Sequence, residues 1–295
     1  MKNYFFILIV FIFSASCEKA IQFDLEESES LLTVDASIET GRDPVVILTK
    51  SLNFFSKITP EILSASAVKD AEVLISDGNK THQLKRVDIL LPGNIPFNFY
   101  TTDPGSSQTL IKGEEGKSYK LEIKWAGKSF NSVTTIPTAS KTVDSIWWEP
   151  VSGLPDTSKN VFLKAKVTDP PGFGNYIRYF TRVNQGSFLP GLNSVFDDLL
   201  FNGVTYDVTV DRGIDRNADL VFDNYGYFRK GDTVTLKFCN IDKATYDFWR
   251  TTEYSYQSIG NPFSSPTKII GNISNGALGY FGGYAVRNHT LIIPQ

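Results

Sequence analysis

YKLEIKWAGKSFNSVTTI, residues Tyr119–Ile136, decides the fold class. Tyr119, Leu121, Ile123 and Trp125 alternate with Lys120, Glu122 and Lys124. A period of two puts the apolar side chains on one face of a strand and the charged ones on the other. Ala126-Gly127-Lys128 then supplies a turn, and Ser129–Ile136 runs back as a second strand. The result is a β-hairpin with one wet face and one dry face, and a dry face must be covered by another layer.

The same alternation recurs on both sides. In Leu31–Ile38, Leu32, Val34, Ala36 and Ile38 face one way and Thr33, Asp35 and Ser37 the other. Val45–Leu48 is a short apolar run, and Glu72–Ser76 leads into the turn pair Asp77-Gly78. These pieces predict an immunoglobulin-like β-sandwich over residues 31–138. Pro137-Thr138-Ala139-Ser140 has no periodicity and marks a boundary. A second β-rich domain is expected over 139–295. Its strand candidates are Val161–Val167, Asn175–Val183, Tyr206–Val210 and Thr233–Cys239. One amphipathic helix follows, with Asp242 as N-cap and Phe248, Trp249, Thr252 and Tyr256 along the side that packs on a sheet. The fold class is therefore mostly β.

The N-terminus is of another kind. Lys2 precedes an unbroken apolar run of ten, Tyr4–Phe13, too short to cross a bilayer as a helix. Ser14, Ala15 and Ser16 follow, then Cys17. The layout predicts a signal peptide over residues 1–16 and a lipobox in which the Cys17 thiol takes up lipid. Ser14 and Ser16 also satisfy ordinary small-x-small cleavage, which gives a secreted protein, and an uncleaved anchor is a third reading. Residues 17–30 are acidic and Ser-containing and predict a solvated, lipidated tether. Several acyl chains hold such a tether firmly, since each buried CH₂ contributes about 0.8 kcal/mol.

Charge and cysteine content exclude more than they assign. The formal net charge is −3, so a basic nucleic-acid surface is not expected. Only Cys17 and Cys239 are present, so the mature body has no disulfide framework. Cys239 falls on the face opposite Val234, Leu236 and Phe238, a position under the helix or another layer and unsuited to a nucleophile.

Few constellations carry chemistry. Gly276–Tyr284 combines glycines with Tyr280, Phe281 and Tyr284, which would be stacking surfaces for a ligand; the alternative is close backbone approach. The stretch lacks the Lys-Ser or Lys-Thr of a phosphate loop, and Gly271–Gly276 misses the nucleophile-elbow spacing by one residue. Asp215, Asn217 and Asp219 have calcium-loop spacing, but Arg212 and Arg216 oppose a cation. Adjacent Asp197 and Asp198 point to opposite faces and make no acid–base pair. His82 and His289 have no partners at ligand spacing. No cofactor is expected, and no catalytic set.

In their order along the chain, several short pieces resemble the Bacteroidota lipoprotein family catalogued as domain of unknown function 4249. They are Cys17-Glu18-Lys19, Leu31–Ile38 with Pro44–Thr49, Gly116–Lys124 with Thr134–Pro137, and Asp198–Gly203. Gly231–Thr235, Ile241–Tyr246, Asn261-Pro262 and Ile273–Phe281 continue the series. The resemblance implies an outer-membrane lipoprotein, with genes of the family often beside TonB-dependent transporters. It carries no established activity. The expected function is a non-enzymatic envelope lipoprotein that captures a ligand or docks a transporter. The acidic start of the tether favours the cell surface over the periplasmic face. A structural envelope lipoprotein without a ligand and a hydrolase are the alternatives.

Labelling cells with a palmitate analogue checks the lipobox. The wild-type chain is expected to take up label and Cys17→Ala to lose it entirely. Label surviving in the variant refutes the assignment.

Overall fold

In a computed structural model, which describes residues 30–52, 59–153, 155, 158–216, 218, 225–259 and 267–295, three sheets carry the architecture. The largest has eight strands in the order β12 (Leu189–Phe196), β11 (Tyr176–Val183), β15 (Thr233–Ile241), β16 (Leu278–Ile292), β1 (Leu32–Glu39), β2 (Val45–Lys50), β6 (Ile95–Thr101) and β5 (Lys85–Leu91). A second sheet runs β4 (Thr81–Gln83), β3 (Glu72–Ser76), β7 (Ser118–Trp125), β8 (Lys128–Thr135). In the third, β10 (Asn160–Thr168) has β9 (Thr142–Pro150) as one partner and pairs also with β13 (Thr205–Val210) and β14 (Phe228–Arg229). Helices are α1 (Pro60–Ser66), a 3₁₀ turn (Pro104–Thr109) and α2 (Lys243–Ser258). The chain is thus mostly β, as its alternation predicts.

The opening hairpin is β7–β8. Trp125 pairs with Lys128, so the turn is the two residues Ala126 and Gly127, with φ of 50° and 73°. Positive φ at both positions matches the twist of the flanking strands. Tyr119, Leu121 and Ile123 are buried, as are Leu32, Val34, Ala36 and Ile38 on β1.

Strand register shows how the layers stack. Ala36 pairs with Phe281 and Ala285 with Asn240. The inward residues of β1, β16 and β15 therefore share one face of the large sheet. The two smaller sheets cover that face. The second sheet packs on β1, β2 and β6 around Val34, Leu48, Ile75, Leu121 and Phe281. The third packs on β11 and β15 around Leu163, Val167, Tyr179, Leu236 and Phe238. On the opposite face α2 covers Cys239, Ile241, Tyr280 and Tyr284.

No break in the large sheet separates the two cores, and β16 supplies Phe281 and Ala285 to the core formed with β1. β1 lies parallel to β16 through seven paired positions, from Thr33↔Leu278 to Glu39↔Tyr284. Alternation locates strands within a segment; it carries no signal for pairing across some 240 residues. The glycines beside Tyr280 have a backbone reason. Gly279 has φ of +96°, and a Cβ there would collide with the Val34 carbonyl oxygen. At Gly283 a Cβ would sit 2.6 Å from the Thr135 carbonyl oxygen. Both let β16 lie against other backbone without a side chain in between.

Asp242 joins the layers at the start of α2. Its Oδ1 accepts from the Thr245 N–H at 2.8 Å, as an N-cap does. Its Oδ2 accepts from the Thr134 hydroxyl at 2.7 Å and the Thr135 N–H at 2.9 Å, both on β8.

Gly279→Ala is expected to lower unfolding stability by about 2–3 kcal/mol, through a forced left-handed residue and a clash with β1. Urea titration checks this; a midpoint equal to wild type excludes the close β1–β16 approach.

Candidate functional site

The third sheet does not close fully on the large one. A cavity of about 600 Å³ lies between them, within the usual range of about 300–1,000 Å³ for small-molecule sites. Its lining includes Phe196 of β12 and Tyr206, Val208 and Val210 of β13. Both are outer strands, so the slot sits at the open side of the second sandwich. Its floor is Ile177, Tyr179, Leu236 and Phe238, with Ala165 and Val167 opposite.

Loop 197–204 joins β12 to β13 and crosses from one layer to the other, and Leu200 and Phe201 of this loop line the slot. Leu199 and Leu200 are 71% and 86% exposed, and neighbouring Phe173 is 72% exposed. Phe201 stacks on Tyr206 with ring centres 4.2 Å apart.

Buried acids hold this apolar tip in place. Asp198 accepts from the N–H groups of Gly174 and Asn175 and from the Asn175 amide. Burial works against its charge, but these donors keep its pKa below the usual carboxylate value. Asn202 accepts from the Gly172 N–H at 2.8 Å. Asp169 accepts from the Gly203 N–H at 3.2 Å and pairs with Lys141 at 3.0 Å, both side chains buried. Lys141 is fixed in turn by a reciprocal pair of hydrogen bonds between its backbone and the Asn240 amide.

Polar groups mark the slot's two ends. Asp197, at the loop end, accepts from the Tyr246 hydroxyl at 2.9 Å, and burial together with this carboxylate pushes Tyr246 up to about 12. Arg250 lies beside them. Asp211 follows the far end of β13 and accepts from Tyr225 at 3.1 Å. Burial raises the Asp211 pKa, partly offset by that hydroxyl.

The outer face of the large sheet bears a second depression, of about 470 Å³, next to α2. Arg178 is buried there, its guanidinium 3.4 Å from the Trp249 ring centre and 4.6 Å from that of Phe180. Its Nε donates to Ser194 Oγ at 3.2 Å and its Nη1 to the Tyr284 hydroxyl at 3.4 Å. Ser194 donates to both oxygens of Glu253, through Oγ at 2.5 Å and N–H at 2.9 Å, and Arg216 pairs with Glu253 at 3.0 Å. Ser194 and Glu253 are both buried. Their hydrogen bonds tie α2 to the sheet.

The expected stacking surface divides between two faces. Phe281 is fully buried in the first core, while Tyr280 and Tyr284 point the other way, beneath α2. Tyr280 stacks on Phe248 at 4.4 Å, and Tyr284 receives the Trp249 indole N–H at 3.0 Å. Adjacent Tyr280 and Phe281 face opposite layers, so Phe281 is corrected to a core residue, while Tyr280 and Tyr284 share the other face and border the outer depression. Asp215 lines the outer depression; Asn217, Asp219 and Cys17 lie outside the described residues. Among the described residues no three metal-binding side chains converge. His82 is buried between Thr109 and the Asp103 N–H. Cys239 is buried below the helix, and burial pushes its thiol up to about 12.

Sequence reasoning missed the slot, the Lys141–Asp169 pair and the Arg178–Glu253 cluster. One signal was present for the last. Thr245, Trp249 and Glu253 are spaced by four, so the most inward stripe of α2 is partly polar. Loop 197–204 showed only as three consecutive apolar residues between turn formers.

Fold and site together define a sandwich protein built on a shared sheet, with an apolar cavity between its layers. The chain belongs to the family described as Domain of unknown function (DUF4249), whose profile matches residues 18–290. No curated protein matches it.

Asp169→Ala would strand a buried ammonium, and stability is expected to fall by about 3–5 kcal/mol. Replacing both partners by Met and Leu (Lys141→Met with Asp169→Leu) should recover most of it. Denaturant midpoints of the three proteins check this; an unchanged Asp169→Ala midpoint rules out the pair's role.

Proposed function

We propose that this chain is a lipid-anchored envelope protein whose β body holds a small, largely apolar ligand, working as an accessory to a TonB-dependent transporter. The cavity between β12 and β13 carries the reading: it is apolar inside, bounded by polar groups at its ends, and flanked by a fixed apolar loop. The tether reading adds the location. Residues 17–30 lead directly into β1, so lipid on Cys17 would hold the body at a bilayer surface, on a Bacteroidota outer membrane and with the cell-surface face favoured.

A second reading, a structural envelope protein without a ligand, draws on a different place. β5 is an outer strand of the large sheet, and its Ile89, Leu90 and Leu91 are exposed. Such an edge can pair with another chain.

The protein should be extracted from its own envelope and weighed intact by native mass spectrometry. A bound small molecule is expected on wild type and absent from Val208→Trp, which fills the slot. Wild type that emerges empty, or a variant that keeps the same mass, overturns the ligand reading. Crosslinking in cells should recover a transporter; repeated failure removes the accessory role.

A further inference from the structure

We infer that the ligand is a single-chain amphiphile whose hydrocarbon chain lies lengthwise between β12 and β13. The inference rests on the reading that the slot holds a ligand and adds the ligand's chemical class.

Shape is the first argument. The lining runs along the inner face of β13, from Leu200 and Phe201 past Tyr206 and Val208 to Val210, and reaches inward to Ile177, Leu236 and Val167. From Tyr206 to Val210 the path is about 13 Å at the usual strand rise. A gap of that length, open along its outer strands, takes a flexible chain laid along β13.

Polarity is the second. Charged groups occur at the ends, Asp197 and Arg250 near the loop and Asp211 beyond Val210. Two neutral polar residues along its length have other partners. Asn193 bonds Gln257 at 2.9 Å and Thr209 receives the Lys164 ammonium at 2.9 Å. The middle of the slot therefore offers hydrocarbon contact and few directional bonds, which matches a methylene chain with its polar head at one end.

The loop is the third. Leu199 and Leu200 stand out in solvent although Asp198, Asn202 and Asp169 pin the loop on both sides of them. A fixed apolar tip continuous with an apolar slot extends the surface that a chain would cover.

The mature chain from residue 17 onward, carrying Cys17→Ser so that it takes up no lipid, is titrated with cis-parinaric acid, a fluorescent fatty acid, and the probe is displaced with hexanol, octanol and decanol. Affinity is expected to rise roughly four-fold for each added CH₂. Val208→Trp should abolish binding, and Leu199→Ser with Leu200→Ser should weaken it several-fold without moving the unfolding midpoint. Alkanols that bind with no dependence on length, or not at all, overturn the inference, as does Val208→Trp binding decanol like wild type. A compact molecule retained from the envelope and lost in Val208→Trp, with no alkanol binding, would sink the chain-like ligand while leaving the ligand reading standing.

Discussion

The parallel ladder between β1 and β16 is the constraint on which the rest of the structure hangs. It joins the first described strand to the last through seven backbone pairs. Without it the molecule would be two sandwiches in series. With it, both share one sheet, and both cores form on the same face of that sheet. The ladder exists because β16 offers backbone where most strands offer side chains. Gly279 takes a left-handed conformation against Val34, and Gly283 lies against Thr135. A glycine costs conformational entropy in a strand, and here the return is close approach of three backbones.

Sharing a sheet has a consequence for the interior. A chain passing from β12 to β13 must leave the large sheet and enter the third, and loop 197–204 makes that crossing. The crossing is tied to the segment 172–175: Asp198 and Asn202 of the loop accept from the N–H groups of Gly172, Gly174 and Asn175. Asp169 accepts from the Gly203 N–H of the loop, and Lys141 balances the charge of Asp169. A buried ion pair of this kind adds little net stability over an apolar pair; the directional bond that fixes the loop is the one Asp169 accepts from the Gly203 N–H. The exposure of Leu199 and Leu200 follows: the loop is held by its flanks, and its apolar tip has nowhere to fold back.

Much of the fold was legible in the sequence. Period-two alternation located β1, β7, β8, β10 and β15, and Asp242 marked the start of α2, because these signals are local and the burial they encode is one-sided. Even the burial of Cys239 under the helix follows from counting along one strand. The β1–β16 pairing was not legible, since register between distant strands depends on glycines whose need appears only when a second backbone is placed beside them. The candidate site was less legible still. Tyr280, Phe281 and Tyr284 look like one aromatic surface in sequence, yet the strand turns neighbours to opposite layers, sending Phe281 into the first core and leaving Tyr280 and Tyr284 beside the outer depression. The slot residues give no joint signal, because each reads as an ordinary inward strand position.

That the cavity falls at β12 and β13 has a geometric reason. Two twisted sheets packed face to face stay close along their middle and diverge toward their corners. Inward side chains of central strands meet partners across the gap and close it, as Val234 of β15 does with the third sheet. Outer strands at a diverging corner have inward side chains but less opposite them, so apolar surface is left facing a gap. Filling it would take larger residues than Val208, Val210 and Ala165. Their small size keeps the corner open, and the fixed loop at its end prevents collapse by rearrangement. The slot is thus a product of sheet twist, small side chains and a loop anchored by buried polar bonds, and any ligand it accepts must match apolar walls set at the spacing of two diverging sheets.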